Sequence, residues 1–286
     1  MAAILTIDAA TCIRCGKCVK VCPSQIFTQT DGCAVGIERL ETCISCGHCA
    51  AVCPTGAIRH LDFPPEKVHP IDRSLLPTPD QLMLLCKARR SNRAFTSAPI
   101  PPASLQQILE AAHRAPTACN LQQLSFTVIT DPAQLRLITQ FTIDTFAHLV
   151  RLLENPFLRP ILHLALPSAY DFLPAFHRLM RAHEHGTDLI LRGATAVILI
   201  HAPHANRFAQ LDANLAYQNG SLMAETLGVS QFYTGFVYSA IQRDKKNKLA
   251  KALGIHGTIH AGMALGMPQF LFPNYIDKKP LNPRTI

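Results

Sequence analysis

Eight of the eleven cysteines fall into two copies of one pattern. Residues 12–23 read CIRCGKCVKVCP and residues 43–54 read CISCGHCAAVCP, an internal repeat offset by 31 residues. Each copy is C-x2-C-x2-C-x3-C-P. Thiolates in tight, patterned spacing point to metal rather than to disulfides. Zinc also takes C-x2-C pairs, but a tetrahedral zinc needs no third cysteine two residues on and no fourth followed by proline, twice. Three thiolates at this spacing wrap one face of a cubane [4Fe–4S] cluster. The fourth cannot close on the same cluster and reaches across to the other. This assigns Cys12, Cys15, Cys18 and Cys53 to one cluster and Cys43, Cys46, Cys49 and Cys22 to a second. Gly16 and Gly47 let the backbone pass close to the sulfurs, and Pro23 and Pro54 turn the chain away. Cys33, Cys86 and Cys119 have no ligand spacing. Cys86, beside Leu85 in a predicted helix, is expected as a core thiol, and Cys33, just after a turn, as inert.

A second concentration of chemistry is Arg89, Arg90, Ser91 and Arg93. Three guanidiniums and a hydroxyl this close can grip a phosphate through forked, charge-assisted hydrogen bonds. Taken alone, the run reads first as a solvated helix end whose charge suits the helix dipole.

The elements that must position these groups are legible in outline. Ile26–Phe27, a turn at Asp31-Gly32 and Ala34–Ile37 predict a short hairpin between the cysteine repeats. A Pro-rich stretch without periodicity follows and reads as a linker. Three segments result: a cysteine-rich domain over 1–61, a linker over 62–77 and a large domain over 78–286. Thr78-Pro79-Asp80 starts a helix. Leu105, Ile108, Leu109 and Ala112 mark the next one. Strands are predicted at 124–130, 195–201, 232–238 and 258–265, and helices at 133–149, 212–227 and 243–253, with short helices in 155–187. Helices and strands mix without a βαβ rhythm, so the fold class is α+β.

The first segment resembles bacterial two-cluster ferredoxins over residues 1–60. In the large domain, RRSNRAF followed by PIPPASLQQILEAAHRAPTACNLQ resembles the opening of the nitroreductase family, with its R-R-S-x-R-x-F and A-P-[ST]-x-x-N-x-Q segments. Leu227-Gly228-Val229 through Gly235-Phe236 is similar to that family's L-G-[LV]…W-I-G-G segment. Leu265–Pro268 is similar to its L-G-Y-P, and Asp277–Pro280 to its P-R-K-P. The resemblance implies FMN, with Arg89, Arg90, Ser91 and Arg93 at the phosphate and ribityl end. It further implies Asn120 and Gln122 on the isoalloxazine or ribityl, the backbone near Gly235 on the N5 side, and Lys278 reaching the phosphate. It also implies a homodimer with the flavin at its interface. The chain departs from the family at Gln123-Leu124 (for Pro-Trp), Tyr233 (for Trp) and Ser230 (for Gly). These positions flank the substrate face, so the substrate does not carry over.

The formal charge is +8, which invites a nucleic-acid reading. Two thiolate-bound clusters and an FMN phosphate would bring that to roughly +2, and no aromatic-plus-basic motif is present. No apolar run reaches membrane-spanning length, and the start lacks a basic n-region. A cytoplasmic protein with neither membrane nor nucleic-acid partner is expected. The thirteen histidines show no metal spacing. The expected activity is that of an FMN-dependent oxidoreductase. Clusters relay single electrons to FMN, and FMN reduces a small organic acceptor (nitroaromatic, quinone or activated alkene) by hydride transfer. A low-potential ferredoxin-type carrier is the expected donor. The cofactors carry the chemistry, so no side chain is assigned as catalytic. The alternative is a non-catalytic electron-transfer or redox-sensing protein.

Overall fold

The computed structural model describes residues 4–286. The chain forms two compact units. One takes in the chain up to Pro77 together with Thr117–Gln122; the other holds Thr78–Pro116 and Gln123–Ile286.

The first unit is built from the cysteine repeat. Its elements are β1 (Leu5–Ile7), α1 (Lys17–Val21), β2 (Phe27–Thr28), β3 (Gly36–Ile37), α2 (His48–Val52) and β4 (Ile58–His60). β1 pairs antiparallel with β4, Leu5 opposite His60, and β2 with β3. The predicted hairpin is therefore present. The sequence repeat is also a backbone repeat. Gly16 and Gly47 precede the two short helices in the left-handed region (φ 66° and 74°), which glycine adopts without steric cost. Arg14 and Ser45, and Gln25 and Gly56, are likewise paired at positive φ. Cys22 and Cys53 cap α1 and α2 in the same extended conformation. The buried core is thin: Leu5, Ile26, Phe27, Cys49, Ala50 and Ile58. Residues 62–77 carry two 3-10 turns, Pro65–Lys67 and Arg73–Leu75.

The second unit contains α3 (Pro79–Ala88), α4 (Pro102–His113), β5 (Ser125–Ile129), α5 (Pro132–Leu153), α6 (Arg159–Ala165), α7 (Pro167–Tyr170), α8 (Leu173–Glu184), β6 (Ala196–Ala202), α9 (Ala209–Thr226), β7 (Ser230–Tyr233), α10 (Gly235–Ile241), α11 (Lys248–Ala252) and β8 (Thr258–Gly266). Its sheet runs β5-β6-β8-β7 and is antiparallel throughout. α3 starts as predicted: Thr78 accepts from Gln81 N and Gln81 closes the capping box, which satisfies two orphan donors. β6 is buried along its whole length, because side chains alternate between two covered faces. Val197 and Leu199 join Ile138, Phe146, Phe176 and Val237. Ala196, Ile198 and Ile200 join Ile108, Ala112, Ala213 and Ala216. On that second face α9 carries a small-residue row. A Cβ on Gly220 would lie 3.4 Å from the Ala112 Cβ, so glycine lets α9 approach α4 closely.

The α+β class holds, and three local expectations are corrected. The strand expected over 232–238 ends at Tyr233, and Gly235 opens α10. The helix expected over 243–253 is reduced to Lys248–Ala252, because Asn247 at φ 50° breaks it. Cys86, expected in the core, is exposed, since α3 buries no residue. Among the described residues, no helix is long and apolar enough to cross a membrane.

Candidate functional site

The cysteines of the first unit surround two cavities. One is lined by Cys12, Cys15, Cys18 and Cys53. The other is lined by Cys43, Cys46, Cys49 and Cys22. Each therefore gathers three cysteines of one repeat and the fourth of the other. All eight are free thiols, and they stand around a space rather than converging on one point. Burial pushes the Cys49 thiol up to about 11 and raises that of Cys18. Such thiols bind a metal only on losing the proton, which a bound cation drives. Burial also acts to raise Cys53, but hydrogen bonds from the Thr55 and Ala57 backbone bring it down. The Ala57 N–H donates to its Sγ at 3.2 Å. The donor set, the sulfur chemistry and the space between the thiols fit a cubane cluster in each cavity.

In the second unit the Arg89–Arg93 run leaves α3 and enters the sheet edge. Ser91 bridges to Gln231 of β7. Asn92 is buried; its Nδ2 donates to Ser230 Oγ (2.9 Å) and Phe270 O (3.0 Å), and its Oδ1 accepts from Ala94 N (3.0 Å). Gln231 is fixed in turn by the Tyr217 hydroxyl, which donates to its Oε1 at 2.6 Å. Burial raises Tyr217 to about 12, so this hydroxyl stays a donor. The arginines are thus presented by a buried polar network that spans up to 178 positions in sequence. The Arg93 guanidinium lies over the Phe232 ring and close enough to Arg192 to act on it. Burial, then Arg93 and Arg178, lower the Arg192 pKa. Among the described residues, no ion pair involves Arg89, Arg90, Arg93 or Arg192. Glu225 faces Arg89 and Asp188 faces Arg192 at longer range, but no carboxylate of the described residues is within ion-pair distance, and such guanidiniums fit a dianionic phosphate.

The other expected flavin residues are dispersed. Gly235 opens α10, and nothing lies within 4 Å of where its Cβ would stand. Lys278 is exposed in the irregular tail. Asn120 and Gln122 belong to the first unit, both at positive φ. Asn120 Nδ2 donates to Ser45 O (2.6 Å), between Cys43 and Cys46. The matching carbonyl of the other repeat, Arg14 O, accepts from Gln29 Nε2 (2.9 Å). Sequence reasoning had given no role to Asn92, Tyr217, Gln231 or Arg178. For Tyr217 and Gln231 the signal is a polar group on an otherwise buried segment; Asn92, inside a basic run, and the exposed Arg178 carry none.

A model of the nitroreductase family matches residues 86–267, more than half of the chain. The chain belongs to the nitroreductase family. Ahead of that domain this nitroreductase-family chain carries a 4Fe-4S dicluster domain, matched over residues 11–57. Its fold is similar to that of a nitroreductase with bound FMN from Bacteroides fragilis, at 19% identity and TM-score 0.53. That alignment covers 72% of this chain and 99% of the other. An FMN-bound nitroreductase from Desulfitobacterium hafniense aligns at 20% identity and TM-score 0.54, covering 71% and 97%. A BluB-like flavoprotein from Clostridium difficile aligns at 17% identity and TM-score 0.52, covering 70% and 94%. A Thermus thermophilus NADH dehydrogenase is 46% identical over 52 residues, which is 18% of this chain. The chain spans about a quarter of that relative's length.

Proposed function

We propose that this nitroreductase-family chain is an FMN-dependent iron–sulfur oxidoreductase, with two [4Fe–4S] clusters in its first unit. The observation that carries this reading is the crossed lining of the two cavities, three cysteines from one repeat and one from the other in each. The thin core of the first unit agrees with it, since metal ligation would supply folding energy that so few buried side chains do not. When bound, the clusters supply one-electron transfer and the flavin two-electron storage, so electrons arriving singly leave as a pair to an organic acceptor.

The chain's own residues hold and orient these groups. Cys12, Cys15, Cys18 and Cys53 ligate one cluster, and Cys22, Cys43, Cys46 and Cys49 the other. Arg89, Arg90, Ser91 and Arg93 bind the flavin phosphate and ribityl, supported from behind by Asn92 and Gln231. Gly235 leaves open space for a ring system above the start of α10. Lys278 completes the flavin contacts that the family resemblance implies in this unit. The chain works as a homodimer, takes electrons from a ferredoxin-type carrier and passes them to a nitroaromatic, quinone or activated alkene. Anaerobically purified protein should contain about eight iron, eight sulfide and one FMN per chain. Cofactor analysis followed by an acceptor screen tests this. Protein with a full iron complement but no flavin after reconstitution would leave only an electron-transfer module.

A further inference from the structure

The geometry points to His60 as a positioning residue that sets the reduction potential of the cluster held by Cys22, Cys43, Cys46 and Cys49. This rests on the reading of those four cysteines as ligands of one cluster. His60 is the last residue of β4 and is buried, at 4% exposure. Its ring packs against Phe63, with centroids 4.9 Å apart, and it lines the same cavity as the four cysteines. The two ring nitrogens have different partners. The Asp62 backbone N–H donates to Nδ1 at 3.1 Å, whereas the Asp62 carboxylate oxygen, at 3.9 Å from the same nitrogen, is beyond hydrogen-bond reach. A nitrogen that accepts carries no proton, so the neutral ring carries its proton on Nε2. Nε2 lies 3.8 Å from Cys43 Sγ. The backbone thus fixes the tautomer, and the tautomer aims an N–H at a ligand sulfur.

A donor on a ligand sulfur stabilises the more negative, reduced cluster and so raises its potential. One electron enters, no bond breaks, and the proton stays on Nε2. Among the described residues, the other cavity has no ring donor: its ligand Cys53 takes its sulfur contacts from the Ala57 N–H (3.2 Å) and the Thr55 hydroxyl (3.7 Å). The position 31 residues before His60 is Gln29, whose amide donates to the carbonyls of Arg14 and Cys33 instead.

The test uses the full chain purified without oxygen and titrated with dithionite under EPR. The signal altered by Cys43→Ser identifies the cluster in question. His60→Phe keeps a ring and removes the donor; His60→Gln keeps an N–H. With His60→Phe, the equilibrium for reducing that cluster should shift about tenfold toward the oxidised form, ~59 mV for a one-electron couple. The other cluster should not move, and His60→Gln should recover most of the shift. His48 lines the same cavity, so in His48→Gln protein labelled with 15N only in histidine rings, pulsed EPR should show one ring nitrogen coupled to the reduced cluster. An unshifted potential in a cluster-loaded His60→Phe protein, or equal shifts in both clusters, would overturn the proposal. If His60→Phe does not fold, the labelled His48→Gln protein decides, and absence of 15N coupling overturns the proposal. EPR signals left unchanged by Cys43→Ser would instead refute the ligand assignment, and the His60 role with it.

Discussion

Cys53 belongs in sequence to the second repeat but lines the cavity of Cys12, Cys15 and Cys18. Cys53→Ser should therefore disturb the EPR signal of the cluster held by the first repeat, and Cys22→Ser that of the other. Damage confined to the second-repeat cluster in Cys53→Ser would show that the ligands are not crossed. Arg93 makes a prediction of the opposite kind. Its guanidinium lies in the second unit with no bonded carboxylate, so Arg93→Ala should weaken FMN binding and spare iron. A lost charge-assisted bond typically costs ~1.5–3 kcal/mol, roughly ten- to hundredfold in affinity. Parallel flavin and iron assays read both quantities. The cysteines and arginines were legible in the sequence because their chemistry is written into spacing or local charge. His60, Asn92 and Gln231 were not, because each acquires its meaning from a partner on another segment: His60 from Cys43, Asn92 from Ser230, Gln231 from Tyr217.

At the scale of elements, continuous apolar runs and caps were read well, and short elements less so. The alternating Val197 and Ile198 faces of β6 and the capping box of α3 follow directly from residue order. Phe232–Tyr238 looked like one strand because Phe, Tyr and Val favour strands. Beyond Tyr233 tertiary packing prevails, burying Val237 and Ala240 of α10 in the core, and β propensity is a weak guide against such burial. The paired strands β6 and β8 also carry a titration. His201 and His260 are both held below the ordinary histidine pKa, first by burial and, for His260, then by His201 and His204. At pH values well above about 7.5 both are uncharged in either state and make no pH-dependent contribution to stability. As pH falls below about 6.5 the unfolded chain takes up protons that the folded one refuses, so stability declines until the folded values are reached. Urea midpoints measured from pH 7.5 downward should therefore fall more steeply for wild type than for a His201→Gln, His260→Gln double variant. Parallel curves would show that these rings do not drive the loss.

At the scale of the whole molecule, one chain combines a dicluster domain with a nitroreductase domain. In the proposed function this means that the eight thiolates exist to feed the flavin. The compact unit that holds the thiolates also takes in Thr117–Gln122, the segment that directly follows α4 and Pro116 in the chain. For that reason a test that keeps the full chain is preferable to cutting it near residue 77. The decisive measurement is anaerobic stopped-flow reduction of the flavin by a reduced ferredoxin. It compares wild type with the Cys53→Ser and Cys22→Ser proteins, each first shown to be folded and FMN-loaded. The account predicts fast flavin bleaching in wild type and a sharp slowing in both variants, while chemical reduction of the flavin and its reoxidation by an acceptor stay intact. Equal ferredoxin-driven rates in all three proteins would contradict it.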